Sequence, residues 1–315
     1  MNITKSFIPA CFFFVSFLTL NGQQQRVVGY LPNTLDVAID FDKVTHLNLA
    51  FENPDAKGDL SFSPLNERYI QQAHAQGKKV LVSIGGGPAS EDEQLRARYF
   101  DLISDARRKD FVTRICAYLA EHELDGLDVD LEGQCINEGY GKFIQTLFET
   151  LKPKGLLLTA ALTHANGGDR VPASAIPLFD FINIMAYDDT GPWNPDRTGQ
   201  HSSFEYAVAS LNYWVGRGLP KSKAVLGVPF YGYGFGRDFN WGMSYAQIVS
   251  TYADADKQDV AGSHIYYNGA DTMQKKAQYV VNGEYGGMMI WQLAQDAGGE
   301  RSLLLVIDRV LHGKP

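Results

Sequence analysis

Residues 124–133 read Leu124-Asp125-Gly126-Leu127-Asp128-Val129-Asp130-Leu131-Glu132-Gly133. Leu127, Val129 and Leu131 alternate with Asp128, Asp130 and Glu132. Successive side chains of a strand point to opposite faces, so the pattern predicts three aliphatic residues on one face and three carboxyls on the other. Acids two positions apart lie roughly 6.6 Å apart along such a strand. They form a narrow column, and like charges held that close cannot all ionise freely. At least one pKa must rise, which suits a general acid working near neutral pH. Glu132, the outermost of the three, is the candidate acid. A calcium loop competes for the same residues, since Asp128-x-Asp130-x-Glu132-Gly133 mimics its opening. It fails at the twelfth position, which is Gly139 where a bidentate Glu is needed. A solvated edge strand would bury the aliphatic face beside an exposed row of acids.

Outward from this strand, short β-rich runs alternate with helical patterns. The predicted strands are Val27–Leu31, Val44–Phe51, Lys79–Ile84, Leu124–Glu132, Leu156–Leu162, Phe179–Tyr187, Ala224–Phe230 and Gly287–Leu293. Helical spacing is read at 66–76, 108–122, 141–151, 204–217, 273–281 and 301–311, with Phe143, Leu147 and Leu151 as an example of the four-residue repeat. Eight strand–helix alternations in 315 residues predict an α/β fold, a single (β/α)8 TIM barrel. An open doubly wound sheet is the runner-up. In a barrel the aliphatic face of 127–131 meets the outer helices. The acids then climb the axis toward the C-terminal rim, where barrel enzymes keep their active sites. The connections at 33–42 and 166–178 look short or irregular. The connection from Tyr231 to Gly286 is the longest, and reads as a loop, a helix at 245–252 and a modest insertion after strand 7, not a separate domain.

The N-terminus reads as a targeting segment. Lys5 is followed by an almost wholly apolar run from Phe7 to Leu20, then by polar Asn21-Gly22-Gln23. The run is too short for a membrane span and fits a cleavable secretory signal. Residues 1–22 are expected to be the signal peptide and 23–315 the catalytic barrel, secreted or periplasmic and without membrane attachment after cleavage. A lipidated Cys11 is rejected, because most of the apolar run follows it. Loss of the signal removes one Lys and no acid, moving the net charge from −8 to −9. Such a chain is a poor partner for nucleic acid or anionic membranes and suits a neutral or basic substrate. Cys116 and Cys135 remain, and are expected to stay unbridged. The seven His residues show no ligand spacing. No metal and no cofactor are expected, and the chain is expected to be a monomer.

The segment Asp125–Glu132 resembles D-G-x-D-x-D-x-E, the signature of glycoside hydrolase family 18, the chitinase family. Ser83-Ile84-Gly85-Gly86 is similar to its S-x-G-G motif ending strand three, and Met185-Ala186-Tyr187-Asp188 to its M-x-Y-D motif ending strand six. Trp291 looks like the eighth-strand tryptophan that floors the sugar site. The resemblance runs from Val27 to Leu311 and implies substrate-assisted retaining hydrolysis, outside the usual two-carboxylate scheme. It implies that Glu132 protonates the glycosidic oxygen and that the substrate's own acetamido oxygen attacks the anomeric carbon. Asp130 would hold the acetamido N–H, Asp128 would share a proton with Asp130, and Tyr187 would orient the acetamido oxygen. Met185 would pack under the sugar or in the core, Asp188 would belong to the site, and Gly85 and Gly86 would clear space beside the acids. Tyr30, Phe51 and Tyr231 end strands one, two and seven and read as site wall or core. Trp193, with Trp241, reads as a stacking surface for the leaving-group half.

The expected partner is an N-acetylglucosamine-containing polysaccharide or glycan, cut internally because the insertion is small. Three rivals remain open: an endo-β-N-acetylglucosaminidase acting on N-glycan cores, a peptidoglycan hydrolase, and a chitin-binding lectin. Lectin relatives usually lose the acid that Glu132 retains.

Overall fold

The structure, a computed structural model, describes residues 25–236 and 241–313. The secretory segment expected at 1–22, and Cys11 with it, lies outside the described residues.

Eight parallel strands close into a barrel. They are β1 (Arg26–Pro32), β2 (His46–Ala50), β3 (Lys79–Gly85), β4 (Gly126–Asp130), β5 (Leu157–Leu162), β6 (Phe181–Met185), β7 (Ala224–Pro229) and, after an insertion, β12 (Gly287–Trp291). Their order around the barrel is β1-β12-β7-β6-β5-β4-β3-β2. The register places Asp128 beside Ser83 of β3 and Thr159 of β5. An outer jacket of helices covers the barrel: α1 (Pro64–His74), α2 (Gly86–Glu91), α3 (Glu93–Leu102), α4 (Arg108–Glu121), α5 (Tyr140–Leu151) and α6 (Phe204–Gly216). After α7 (Tyr245–Thr251) in the insertion, α8 (Ala270–Asn282) and α9 (Leu303–His312) complete it.

The alternation within each strand separates two apolar cores. Leu127, Val129 and Leu131 join the large core between barrel and helices, with Phe143, Leu147 and Leu151 of α5. A smaller core fills the barrel itself and contains Val28, Tyr30, Phe181, Met185, Tyr187 and Met289. Asp128 and Asp130 point into this inner space and are buried. The backbone leaves the strand after Asp130, so Leu131 and Glu132 form an extended exit rather than the end of β4.

Two helices escaped the sequence pattern. α2 opens with Gly-Gly-Pro and spans six residues, too few for a visible period. α3 buries only Leu95, Tyr99 and Leu102 among polar neighbours, and its start is fixed by Asp92, whose side chain accepts from Gln94 N. The insertion also holds more than a loop and a helix. A small antiparallel sheet, ordered β10-β11-β8-β9, joins β8 (Tyr231–Gly234), β9 (Gly242–Ser244), β10 (Val260–Ala261) and β11 (Ile265–Tyr266). The expected irregular connections at 33–42 and 166–178 carry only short 3-10 turns. Cys116 and Cys135 are both free, and the buried Cys135 thiol donates to Ala89 O at 3.3 Å. Among the described residues no helix is long and apolar enough to cross a membrane.

Candidate active site

The acid column begins deep in the barrel. Asp128 is fully buried, and its Oδ2 accepts from Tyr30 OH at 2.6 Å and Ser83 Oγ at 2.7 Å. Its Oδ1 accepts from Thr159 Oγ1 at 2.5 Å and Asn183 Nδ2 at 3.3 Å. Burial raises the Asp128 pKa, and the four donors oppose that rise by stabilising the carboxylate. Tyr30 is thereby drawn into the site: burial and the neighbouring Asp128 and Asp130 push its own pKa well up, so it remains a donor.

One step higher, Asp130 has no such support. It is buried, and its Oδ1 has no hydrogen-bond partner. Burial first, then the charges of Glu132 and Asp128, push its carboxyl far above the ordinary range. Buried polar atoms are nearly always satisfied, so a carboxyl oxygen left without a partner inside the barrel is an exception that a donor from outside would resolve. Glu132 follows at the rim, half-buried. Burial and Asp188 raise its pKa, while a hydrogen bond from the Asn166 side chain lowers it.

The chain leaving β6 forms the opposite wall. Met185, Tyr187 and Tyr231 are buried but keep a small exposed edge, 7–8% each. Burial first, then the charges of Asp130, Asp188, Glu132 and Asp128, push the Tyr187 pKa well up, so the phenol stays protonated beside the acids. Asp188 takes a positive φ of 62°, a conformation Asp tolerates better than most residues. This turns its Oδ1 to accept from Tyr231 OH at 2.5 Å. Trp291 ends the eighth barrel strand, with Phe51 stacked against it at 5.5 Å and 24°, and Tyr30 tilted beside it at 5.7 Å. Trp291, Phe51 and Tyr30 thus form an aromatic floor next to the acids.

The two glycines make room for different neighbours, Gly86 for the floor and Gly85 for the acid strand. A Cβ on Gly86 would meet the Phe51 ring at 2.2 Å, and one on Gly85 would meet the Asp130 carbonyl at 2.2 Å. Trp193 lies farther out, 60% exposed, with its ring edge-on to Tyr233 at 5.1 Å. Trp241 is 73% exposed, and no ring contact joins it to the floor.

Sequence reasoning missed Thr159, Asn183, Asn166 and His201. Thr159 and Asn183 had a signal, being lone polar residues on inward positions of apolar strands. Asn166 and His201 sit in loops, where spacing reveals nothing of what they face.

The model of the glycosyl hydrolases family 18 matches residues 20–296. A family 18 chitinase from the chitin utilization locus of Flavobacterium johnsoniae is 39% identical, covers 91% of this chain and 94% of its own, and superposes with a TM-score of 0.86. A chitinase from Bacteroides thetaiotaomicron is 29% identical over 91% of this chain and 96% of its own, with a TM-score of 0.80. The probable chitinase 10 of Drosophila melanogaster is 24% identical over 99% of this chain, which spans only 16% of that protein's length. The match runs over most of the sequence and the closed barrel agrees with it: the chain belongs to the glycosyl hydrolases family 18.

Proposed function

We propose that the protein hydrolyses β-1,4-linked N-acetylglucosamine, as chitin or chitooligosaccharides, with net retention and by substrate-assisted catalysis. The observation that carries this is the contrast within the acid column. Asp128 is saturated by four donors, whereas Asp130 keeps an unpartnered oxygen beside a raised Glu132. An amide N–H on the sugar would satisfy that oxygen, and a 2-acetamido group carries one.

The steps follow from these positions. Glu132, whose burial and neighbour Asp188 favour its protonated form, gives its proton to the glycosidic oxygen as the bond to the anomeric carbon breaks. The acetamido oxygen attacks that carbon from the opposite face, forming an oxazolinium. Asp130 accepts the acetamido N–H, and the positive charge developing on the ring favours its carboxylate form, which is electrostatic support aimed at where charge develops. The Tyr187 hydroxyl donates to the acetamido oxygen. Water, deprotonated by Glu132, then opens the oxazolinium with a second inversion, so the anomeric configuration is retained. Asp128 and Asp130 titrate as a pair. Trp291 and Phe51 carry the sugar ring, and Met185 packs beneath it. Trp193 stacks on the leaving-group side.

The two solved relatives are chitinases by name, which supports this substrate class. The small insertion supports an open groove and internal cleavage. The apolar run at 7–20 supports export, with the barrel acting outside the cytoplasm as a monomer.

Mass spectrometry of products from chitotetraose beside a high-mannose glycoprotein tests the reading. Shorter N-acetylglucosamine oligomers are expected from the first and nothing from the second. Glu132→Gln should lose turnover by roughly 10²–10⁴-fold or more while still binding. Release from the glycoprotein alone would replace the substrate, and an unchanged Glu132→Gln variant would make the column a binding site only.

A further inference from the structure

Behind Asp188 the fold buries two basic side chains that the proposed chemistry leaves unused. His201 lies in the loop before α6 and Lys276 lies on α8, and both are fully buried. Lys276 Nζ donates to Ser202 O at 2.7 Å, Ser202 Oγ at 2.8 Å and Asn268 Oδ1 at 2.7 Å, which uses all three N–H bonds of an ammonium. Ser202 Oγ in turn donates to Ala186 O at 2.7 Å, and His201 O accepts from Asp189 N at 3.0 Å. The 201–202 segment is therefore tied to the backbone on both sides of Tyr187 and Asp188.

The His201 ring closes the remaining gap. Its Nε2 is 3.3 Å from Tyr231 O, which can only accept, so Nε2 carries a proton. Its Nδ1 is 3.2 Å from Asp188 Oδ1 and 3.4 Å from Asp188 N. A neutral ring accepts from that amide and a protonated ring donates to that carboxylate, so His201 has a partner on Asp188 in either state. Tyr231 at 5.0 Å and Tyr233 at 4.8 Å hold the ring in place. The Asp188 side chain, by contrast, is 42% exposed and has water to turn toward if released.

We propose that His201 is a positioning residue for the acid catalyst: it keeps the Asp188 carboxyl against Tyr231 and facing Glu132. This deepens the proposed reaction and rests on Glu132 being its acid. A carboxylate beside another carboxyl disfavours its ionisation, and Asp188 acts on Glu132 in this sense. The other titratable groups facing Glu132 are Asp130 on β4, Tyr187 after β6 and Cys135 in the turn after β4. Those around His201 are Asp188, Tyr231 and Tyr233, with Lys276 beyond Ser202.

The test follows the Glu132 carboxyl by ¹³C NMR titration in the full chain, beside the pH profile of kcat/KM on a soluble N-acetylglucosamine oligomer. His201→Leu keeps volume and removes both ring hydrogen bonds. Glu132 should then titrate lower by about half a unit or more, and the basic limb of the profile should fall with it. His201→Asn, which keeps an amide near the Nδ1 position, should stay with the wild type. Lys276→Met frees Ser202 and should move Glu132 in the same direction, which keeps the test open if the leucine variant does not fold. A folded His201→Leu protein whose Glu132 titration is unmoved or raised overturns the inference. The titration needs no turnover, so a wild type inert toward every 2-acetamido substrate would refute the reaction while the NMR still decides the positioning.

Discussion

Glu132 is held between opposing influences. Burial and Asp188 favour its protonated form, and the hydrogen bond from Asn166 favours its ionised form. The acid works while protonated, so activity falls as pH rises through its pKa. Asn166→Ala removes the one contact that lowers this pKa, and should shift the basic limb of kcat/KM upward by about half a unit or more. An unshifted limb would show that Asn166 does not act on the acid. Of these contacts, only the carboxyl column was legible in the sequence, because strand alternation fixes which residues share a face. Asp188 was found by motif and not by periodicity. Asn166 and His201 were silent, because a loop residue's partner is set by how distant segments pack.

Barrel strands were legible because each spans five to seven residues, long enough to show an apolar face or run. The insertion sheet was not: β10 and β11 have two residues each and no room for alternation. At this scale the aromatic floor depends on backbone room. Gly86, at φ 65°, lies where its Cβ would overlap the Phe51 ring. Gly86→Ala should displace that ring from Trp291, lower stability by about 1–3 kcal/mol and raise KM more than it lowers kcat. A melting scan with steady-state kinetics checks both, and an unchanged KM would take Phe51 out of the floor.

The whole molecule bears the cost of its site. Asp130 has a native pKa well above its unfolded value, first through burial and then through Glu132 and Asp128. The native state therefore binds more protons than the unfolded chain, and stability falls as pH rises above about 3.9, the unfolded value. Each unit of elevation corresponds to about 1.4 kcal/mol at neutral pH. Asp130→Asn should melt above the wild type at pH 7, and the advantage should vanish below about pH 4. A variant less stable than the wild type at neutral pH would mean the column is relaxed. That strain is worth keeping only if the substrate supplies what Asp130 lacks, a donor from its acetamido group. The most direct measurement is ¹H NMR of the first products from a chitooligosaccharide beside the matching cellooligosaccharide. The account predicts the β-anomer first from the acetamido sugar and no reaction with the glucose polymer. An α-anomer formed first, or comparable cleavage of the glucose chain, would contradict it.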